Sequence, residues 1–293
     1  MRILVTNDDG IESEGIHVLA RAVAAAGHEV VVVAPSTNWS GAGAALGDLD
    51  PSRPLDVRRV EIPHAPGLAA WALAGPPALC VVAARLGAFG DGPDLIVSGT
   101  NAGVNTGRSI LHSGTVGAVL AGQNFGLSGL AVSVASGQKW WWDTAAELAV
   151  EVLPRVIDAP PRTALNLNVP ALSREQVLGI RWARIAPFGA VRARLHSSSE
   201  EQVEFTLEPT GYDPPEDTDQ GAVDRGYAAL TTLVGVVEAW PEPLDVDTVP
   251  AEEYAVHLVP GADLHEVHTV PDASDHRLLR RPELGLEPQG SGA

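Results

Sequence analysis

Two adjacent carboxylates, Asp8 and Asp9, directly follow a short run of aliphatic residues near the start of the chain. That run, from Arg2 to Thr6, is rich in β-branched and aliphatic side chains and predicts a buried strand. Carboxylate oxygens are preferred ligands of the hard cations Mg²⁺, Mn²⁺ and Ca²⁺, and a cation held there can accept phosphate oxygens on its open side. The pair therefore indicates either a metal site or a solvated turn that caps the next helix.

Two more loops contain side chains that could complete such a site. Ser40 lies in a loop rich in Gly, Ser and Ala, and Asn101 lies in a second loop rich in small polar residues. Their neutral oxygens could join a cation already held by two carboxylates. Ser113, Gly114 and Thr115 stand at the predicted start of a helix, where amides and hydroxyls can face an anion or simply cap the helix.

An alternation of strands and helices positions these loops. It predicts a mostly parallel sheet with helices on both faces, and the loops that leave the carboxyl ends of such strands meet at one edge. The predicted strands are Arg2–Thr6, Glu29–Ala34, Leu55–Arg59, Ala69–Leu73, Asp94–Ser98, Leu130–Ser133 and Ala164–Val169, and the predicted helices are Glu14–Ala26, Gly75–Leu86, Gly114–Asn124 and Asp143–Leu153.

The pattern changes after Pro170, and we predict three parts. Residues 1–175 form the catalytic core, residues 176–256 a β-rich arm and oligomerisation segment, and residues 257–293 a C-terminal extension whose end is disordered. Strands are expected at Gln202–Leu207 and within Tyr227–Val237. The triple Trp140–Trp142 indicates a hydrophobic cluster at a helix start or a subunit contact.

Composition limits the function classes. The 293 residues are 45% hydrophobic and 19% charged, which is typical of a soluble globular protein. The formal charge of −18 argues against binding nucleic acid polymers, because Lys and Arg would have to neutralise the phosphates. The single Cys80 cannot form an intrachain disulfide, the first apolar run is too brief for a signal peptide, and no stretch is typical of a membrane span. We expect a cytoplasmic protein without a membrane partner.

Several motifs in this order resemble the SurE survival proteins, which are metal-dependent nucleotidases and phosphatases of small phosphorylated metabolites. The resemblance extends from Met1 to Leu233. The motifs are ILVTNDDG with Gly15, Ala34-Pro35 with Asn38-Trp39-Ser40-Gly41, PDLIVSGTNAGVNTG at 93–107, HSGTVGA at 112–118, LNLNVP at 165–170 and TDQGAVDRGYAALTTL at 218–233.

The resemblance implies a Rossmann-like three-layer α/β/α fold, with a β-hairpin arm and a C-terminal segment that exchanges between subunits of a homodimer or homotetramer. It implies one divalent cation per subunit, Mg²⁺ or Mn²⁺, on Asp8, Asp9, Ser40 and Asn101. Its phosphate contacts fall on Asn105 and on Ser113, Gly114 and Thr115. The implied reaction is hydrolysis of nucleoside 5′- or 3′-monophosphates or related small metabolites, in which Asp8 could also orient the attacking water.

The sequence departs from the family where Gly75-Pro76-Pro77-Ala78-Leu79 replaces the usual G-T-P-A-D, and where Thr232-Leu233 lacks a proline. These departures leave open an inactive, sensing oligomer, and a phosphatase dedicated to an intermediate of specialised metabolism is a further alternative. Other phosphoryl-transfer motifs fit less well. The acids are adjacent rather than in a D-x-D pattern, residues 103–109 are one residue short of a P-loop, and no G-x-S-x-G elbow is present.

Overall fold

A computed structural model describes residues 1–188, 191–199 and 201–236. Its strands are β1 Arg2–Thr6, β2 Glu29–Pro35, β3 Val57–Arg59, β4 Ala69–Leu73, β5 Leu95–Ala102, β6 Ser128–Val134, β7 Ala164–Val169, β8 Ile180–Trp182, β9 Val191–Ser198, β10 Val203–Pro209 and β11 Ala228–Leu233. Its helices are α1 Glu14–Ala25, α2 Pro77–Arg85, α3 Gly114–Asn124, α4 Trp142–Ile157 and α5 Asp219–Asp224, with a 3₁₀ helix at Gly107–His112.

A nine-stranded sheet in the order β3-β4-β2-β1-β5-β6-β7-β11-β8 forms the centre of the fold. Neighbouring strands run parallel except for the β3–β4 and β7–β11 pairs. The strand order reverses on either side of β1 and β5, and such a reversal is where open α/β sheets bind ligands at their carboxyl edge. The acidic loop after β1 lies at this position.

Helices cover both faces of the sheet and confirm the predicted three-layer α/β fold. Alternation along β1 sends Ile3 and Val5 into a core with α1 and α4, and Leu4 into a second core with α2 and α3. Burying aliphatic side chains on both sheet faces explains why the central strands are almost continuously apolar. The polar loops follow the carboxyl ends of these same strands.

A local irregularity in β5 brings Asn101 to this edge. The register with β6 shifts between Ser98 and Asn101, as in a β-bulge. Gly99 has φ +139°, and a Cβ there would stand 2.3 Å from the carbonyl oxygen of Val132. Gly15, in the first turn of α1, lies equally close to the bulge, because its Cβ would stand 2.2 Å from the oxygen of Thr100. Both positions therefore require glycine.

Several elements differ from the sequence-based predictions. Strand β5 continues to Ala102, and α4 continues through Pro154 to Ile157, since Val156 and Ile157 still pack on the core. The 3₁₀ helix, α5, β8 and β9 were not predicted. These elements are short or polar, so their patterns do not distinguish them from loops.

Part of the predicted arm belongs to the central sheet. Strands β8 and β11 pair within the nine-stranded sheet, whereas β9 and β10 form a separate antiparallel ribbon. The three-part division of the chain stays a prediction, and residues 257–293 lie outside the described part. In the residues described, no helix combines the length and apolar character needed to cross a membrane.

Candidate active site

The side chain of Asn7 fixes the acidic loop. Its Oδ1 accepts a hydrogen bond from the Gly10 N–H at 3.2 Å, and its Nδ2 donates to the Gly10 carbonyl at 3.0 Å and to Ser13 Oγ at 2.7 Å. Asn7 is fully buried, so these bonds also satisfy its amide. The turn between β1 and α1 is therefore closed around Asp8 and Asp9.

Asp8 lies against the N-terminus of α3. It is only 3% exposed, and its Oδ1 accepts a hydrogen bond from Thr115 Oγ1 at 2.5 Å. A Cβ on Gly114 would stand 2.8 Å from Asp8 Oδ2 and 2.7 Å from Asp8 Cβ. The carboxylate thus occupies the space that a side chain at position 114 would fill. The partial positive charge of the helix N-terminus favours a carboxylate there.

Asp9 connects the acidic loop to the other two loops. Its Oδ2 accepts a hydrogen bond from the Ala102 N–H at 3.3 Å, and Asn38 Nδ2 donates to its Oδ1 at 3.5 Å. Burial raises the pKa of Asp9, the charge of Asp8 raises it further, and the Ala102 N–H acts in the opposite direction. Two neighbouring carboxylates in this setting favour the binding of a cation.

Ser40 lies in the loop after β2, whereas Asn101, which was predicted in a loop, lies near the end of strand β5. Asp8 and Asp9 contact both segments. The Trp39 N–H donates to the Asp8 carbonyl at 2.7 Å, and the Ser40 N–H donates to Asn38 Oδ1 at 2.7 Å. Asn101 Nδ2 donates to the Gly103 carbonyl at 2.6 Å, one residue beyond the amide that contacts Asp9. The structure therefore brings the segments of all four predicted ligands to one edge of the sheet.

The chemistry of this donor set fits a hard divalent cation. Two carboxylates, one hydroxyl and one carboxamide offer oxygen, the ligand atom that Mg²⁺ and Mn²⁺ prefer. Over the described ranges, no group of three His, Cys, Asp or Glu side chains is placed to hold a metal ion. The predicted set contains two such side chains, Asp8 and Asp9, and its other two members, Ser40 and Asn101, offer neutral oxygens.

The N-terminus of α3 combines capping with free amides. Ser113 Oγ accepts a hydrogen bond from the Val116 N–H at 3.1 Å, so Ser113 caps the helix as one of the two interpretations predicted. The N–H groups of Gly114 and Thr115 have no acceptor among the residues described. Unpaired amides at a helix N-terminus can bind an anion.

Asn105 is held by a buried polar network. Its N–H donates to Asn168 Oδ1 at 2.7 Å and its Nδ2 donates to Ser133 Oγ at 2.8 Å. Its carbonyl accepts bonds from Asn166 Nδ2 at 2.9 Å and from Asn168 Nδ2 at 3.0 Å. An amide Nδ2 carries two protons, so one side-chain N–H of Asn105 remains available to a ligand.

Sequence reasoning missed the roles of Asn166 and Asn168 in this network, and that of Asp219, which binds the Gly107 N–H two residues further along the chain. Asn166 and Asn168 alternate with leucine in the buried strand β7, and polar residues at every second position of an otherwise apolar strand are a detectable signal. Asp219 is fully buried and accepts N–H bonds from Gly107 at 2.9 Å, Ala186 at 2.9 Å and Gln220 at 2.8 Å. Burial raises its pKa, while these three N–H groups act to lower it.

One groove lies apart from these residues. It measures about 360 Å³ and contains none of the predicted site residues. Trp140 and Trp142 stack in it at a centroid distance of 5.3 Å, and Lys139 Nζ lies 3.7 Å from the Trp141 ring centroid. Trp141 and Trp142 also pack on the core where α4 begins, an arrangement expected of a hydrophobic cluster at a helix start.

Comparison with known proteins identifies the family. The sequence profile described as Survival protein SurE matches residues 3–189, more than half of the chain. The chain belongs to the SurE family. The predicted resemblance is thereby confirmed.

Individual members of the SurE family align over most of the chain. A protein of Synechococcus sp. (strain CC9605) named 5′-nucleotidase SurE is 40% identical over 188 residues, covering 64% of this chain and 69% of that protein. One of the same name from Gloeobacter violaceus is 38% identical over 247 residues, covering 80% and 89%. The crystal structure of the SurE protein from Aquifex aeolicus matches with a TM-score of 0.69 and 29% identity, over 87% of this chain and all of that one.

Proposed function

We propose that this chain is a phosphoric monoester hydrolase that uses one divalent cation, Mg²⁺ or Mn²⁺, and acts on nucleoside monophosphates or related small phosphorylated metabolites. Membership of the SurE family and the nucleotidase names of its relatives support the reaction class. The observation that carries the proposal is the Asp8 carboxylate, which is seated against the start of α3 in the space left by Gly114.

The oxygens of the acidic loop and its neighbours would hold the cation. Asp8 Oδ1 accepts a hydrogen bond from Thr115, whereas Oδ2 accepts none from the described residues and is offered to a metal, together with Asp9, Ser40 and Asn101. When bound, the cation would polarise the phosphoryl group and lower the pKa of a water molecule. Asp8 and Asp9 would also be the catalytic carboxylates of the site, with Asp8 able to orient the attacking water.

The N-terminus of α3 and Asn105 would hold the phosphate. The unpaired N–H groups of Gly114 and Thr115 are offered to phosphate oxygens, together with the capping residue Ser113 and the remaining side-chain N–H of Asn105. These donors and a cation on the facing carboxylates would hold the phosphoryl group between them. A free phosphate would otherwise be repelled by Asp8, so the proposal requires the cation.

The finer parts of the proposal concern substrate, assembly and location. We include 5′- and 3′-nucleotides and an intermediate of specialised metabolism as substrate classes, and a cytoplasmic homodimer or homotetramer. The β9–β10 ribbon supports the assembly, because a two-stranded ribbon is marginally stable alone. Its paired Leu195 and Phe205 are 53% and 66% exposed, which leaves apolar surface for a second subunit.

The experiment measures phosphate release from a panel of nucleotides and sugar phosphates with Mn²⁺, with Mg²⁺ and with EDTA. We expect turnover only with a divalent cation, and its loss in Asp8→Asn. The matched control is Asp143→Asn, which removes an exposed carboxylate from α4 and should remain active. Full turnover of Asp8→Asn, or a folded wild-type protein that releases no phosphate from any substrate, would contradict the proposal. The second result would favour the sensing oligomer.

A further inference from the structure

Hydrolysis of a phosphate monoester leaves a negative charge on the departing ester oxygen. When the leaving group is an ordinary alcohol such as a ribose hydroxyl, a side chain that donates a proton to this oxygen accelerates the reaction by about 10²–10⁴-fold. The question is which side chain at this edge of the sheet could do so. The following argument rests on the proposed function.

Titratable side chains are few on the loops that converge at the site. In the acidic loop they are Asp8, Asp9 and Glu12, and in the Ser40 loop, up to residue 48, Asp48. Asp8 and Asp9 are assigned to the cation. Glu12 and Asp48 are exposed carboxylates paired with arginines, Glu12 with Arg58 at 3.1 Å and Asp48 with Arg53. None of these four carboxylates is therefore available to donate a proton to the leaving oxygen.

The segment from residue 103 to residue 115 contains Arg108 and His112. An arginine guanidinium does not release its proton in proteins. The nearby Asp219 is fully buried and its oxygens accept bonds from three backbone N–H groups, so it has no access to a ligand. Among the described residues of these loops, His112 is the remaining donor, and imidazole is the side chain that ordinarily exchanges protons near neutral pH.

The backbone of His112 connects two segments of the site. It ends the 3₁₀ helix and immediately precedes Ser113, where the predicted phosphate contacts begin. Its carbonyl accepts the Gly43 N–H at 3.1 Å, which ties it to the loop that carries Ser40. The side chain is exposed, and within the described ranges its ring has no hydrogen-bond or ion-pair partner. The His112 backbone is thus held by a hydrogen bond, whereas its imidazole has no bonding partner among the described residues.

We propose that His112 is the general acid that protonates the leaving oxygen. A water oxygen attacks phosphorus, and the bond from phosphorus to the ester oxygen breaks with its electron pair passing to that oxygen. A ring N–H of the protonated imidazole gives its proton to the same oxygen, and the alcohol departs. Solvent takes the proton lost by the attacking water and returns one to the imidazole.

The test compares two substrates that differ in how much they need an acid. His112→Ala should lower kcat/KM for adenosine monophosphate by about 10²–10³-fold, and for p-nitrophenyl phosphate, whose leaving group is stable as an anion, by less than about tenfold. Added imidazole should restore part of the lost activity on adenosine monophosphate. His28→Ala is the matched control, because His28 precedes β2 at the opposite edge of the sheet.

Equal losses on both substrates would overturn the assignment of His112 as the acid, since a positioning or structural role does not depend on the leaving group. A folded wild-type protein that releases no phosphate from these two substrates or from any other member of the panel would instead refute the proposed function. If His112→Ala does not fold, as judged by thermal melting, His112→Gln keeps the side-chain length and carries the same comparison.

Discussion

Replacing Gly114 by alanine probes the seat of Asp8 with a single methyl group. The backbone at Gly114 is ordinary helix without a positive φ, so alanine fits the conformation. The new Cβ would stand 2.7 Å from Asp8 Cβ and 2.8 Å from Oδ2, whereas ordinary contacts begin near 3.4 Å. Either the carboxylate or the start of α3 must therefore move by about 0.6–0.7 Å.

The expected effect on catalysis is large and the effect on folding is small. A misplacement of about 1 Å can cost about 10²-fold in rate, so we expect kcat/KM to fall by about 10–10²-fold. Overpacking costs about 1–3 kcal/mol, and alanine recovers up to about 1 kcal/mol of helix propensity. The net loss is then at most about 3 kcal/mol, so the melting temperature should fall by no more than about 12 °C at 2–4 °C per kcal/mol.

The assay is phosphate release from adenosine monophosphate with Mn²⁺, alongside thermal melting. Gly92→Ala is the matched control, because its Cβ would stand 2.9 Å from the movable end of the Arg85 side chain, before β5 and away from the carboxyl edge. Wild-type turnover by Gly114→Ala would refute the reasoning. If that variant misfolds, Thr115→Val removes the hydroxyl bound to Asp8 and tests the same seat.

Two further predictions concern buried charge. Because burial and its acidic neighbour raise the pKa of Asp9 above that of the unfolded chain, ionised Asp9 destabilises the metal-free fold above both pKa values, and the penalty disappears as the pH falls below the unfolded value. Asp9→Asn should therefore raise the melting temperature of the EDTA-treated protein at pH 7 but not at pH 3, and an unchanged or lower value at pH 7 would contradict this. Asp219→Asn places an amide where Gly107, Ala186 and Gln220 donate hydrogen bonds, so we expect the free energy of unfolding by urea to fall by about 1–3 kcal/mol. Stability equal to wild type would show that the three bonds contribute little.

The central strands and the site loops could be predicted because their signals are local. Apolar runs such as Arg2–Thr6 and Ala164–Val169 match the observed strands, and each polar loop follows the end of one. Parallel topology then places those loops at one edge of the sheet. The hydrogen bonds that Asp9 accepts from the Ala102 N–H and from Asn38 Nδ2 are consistent with this placement.

The other features of the fold and the site depend on contacts between residues that are distant in the sequence, and the local residue pattern does not indicate such contacts. The bulge at Gly99 lies where β5 packs against the Val132 carbonyl of β6. Asp219 accepts a hydrogen bond from the Gly107 N–H, although the two residues are 112 positions apart in the sequence. Short elements such as β8 acquire a strand conformation only through pairing with β11. Such contacts are set by packing across the sheet rather than by residue order.

The central claim is that a cation lies between Asp8 and Asp9 beside Ser40 and Asn101. Anomalous diffraction from crystals grown with Mn²⁺ tests it most directly. We expect a single strong anomalous peak per subunit within coordinating distance of both carboxylates, and we expect it to disappear in Asp8→Asn. A well-occupied Mn²⁺ elsewhere in the chain, with no density between the two carboxylates, would contradict it.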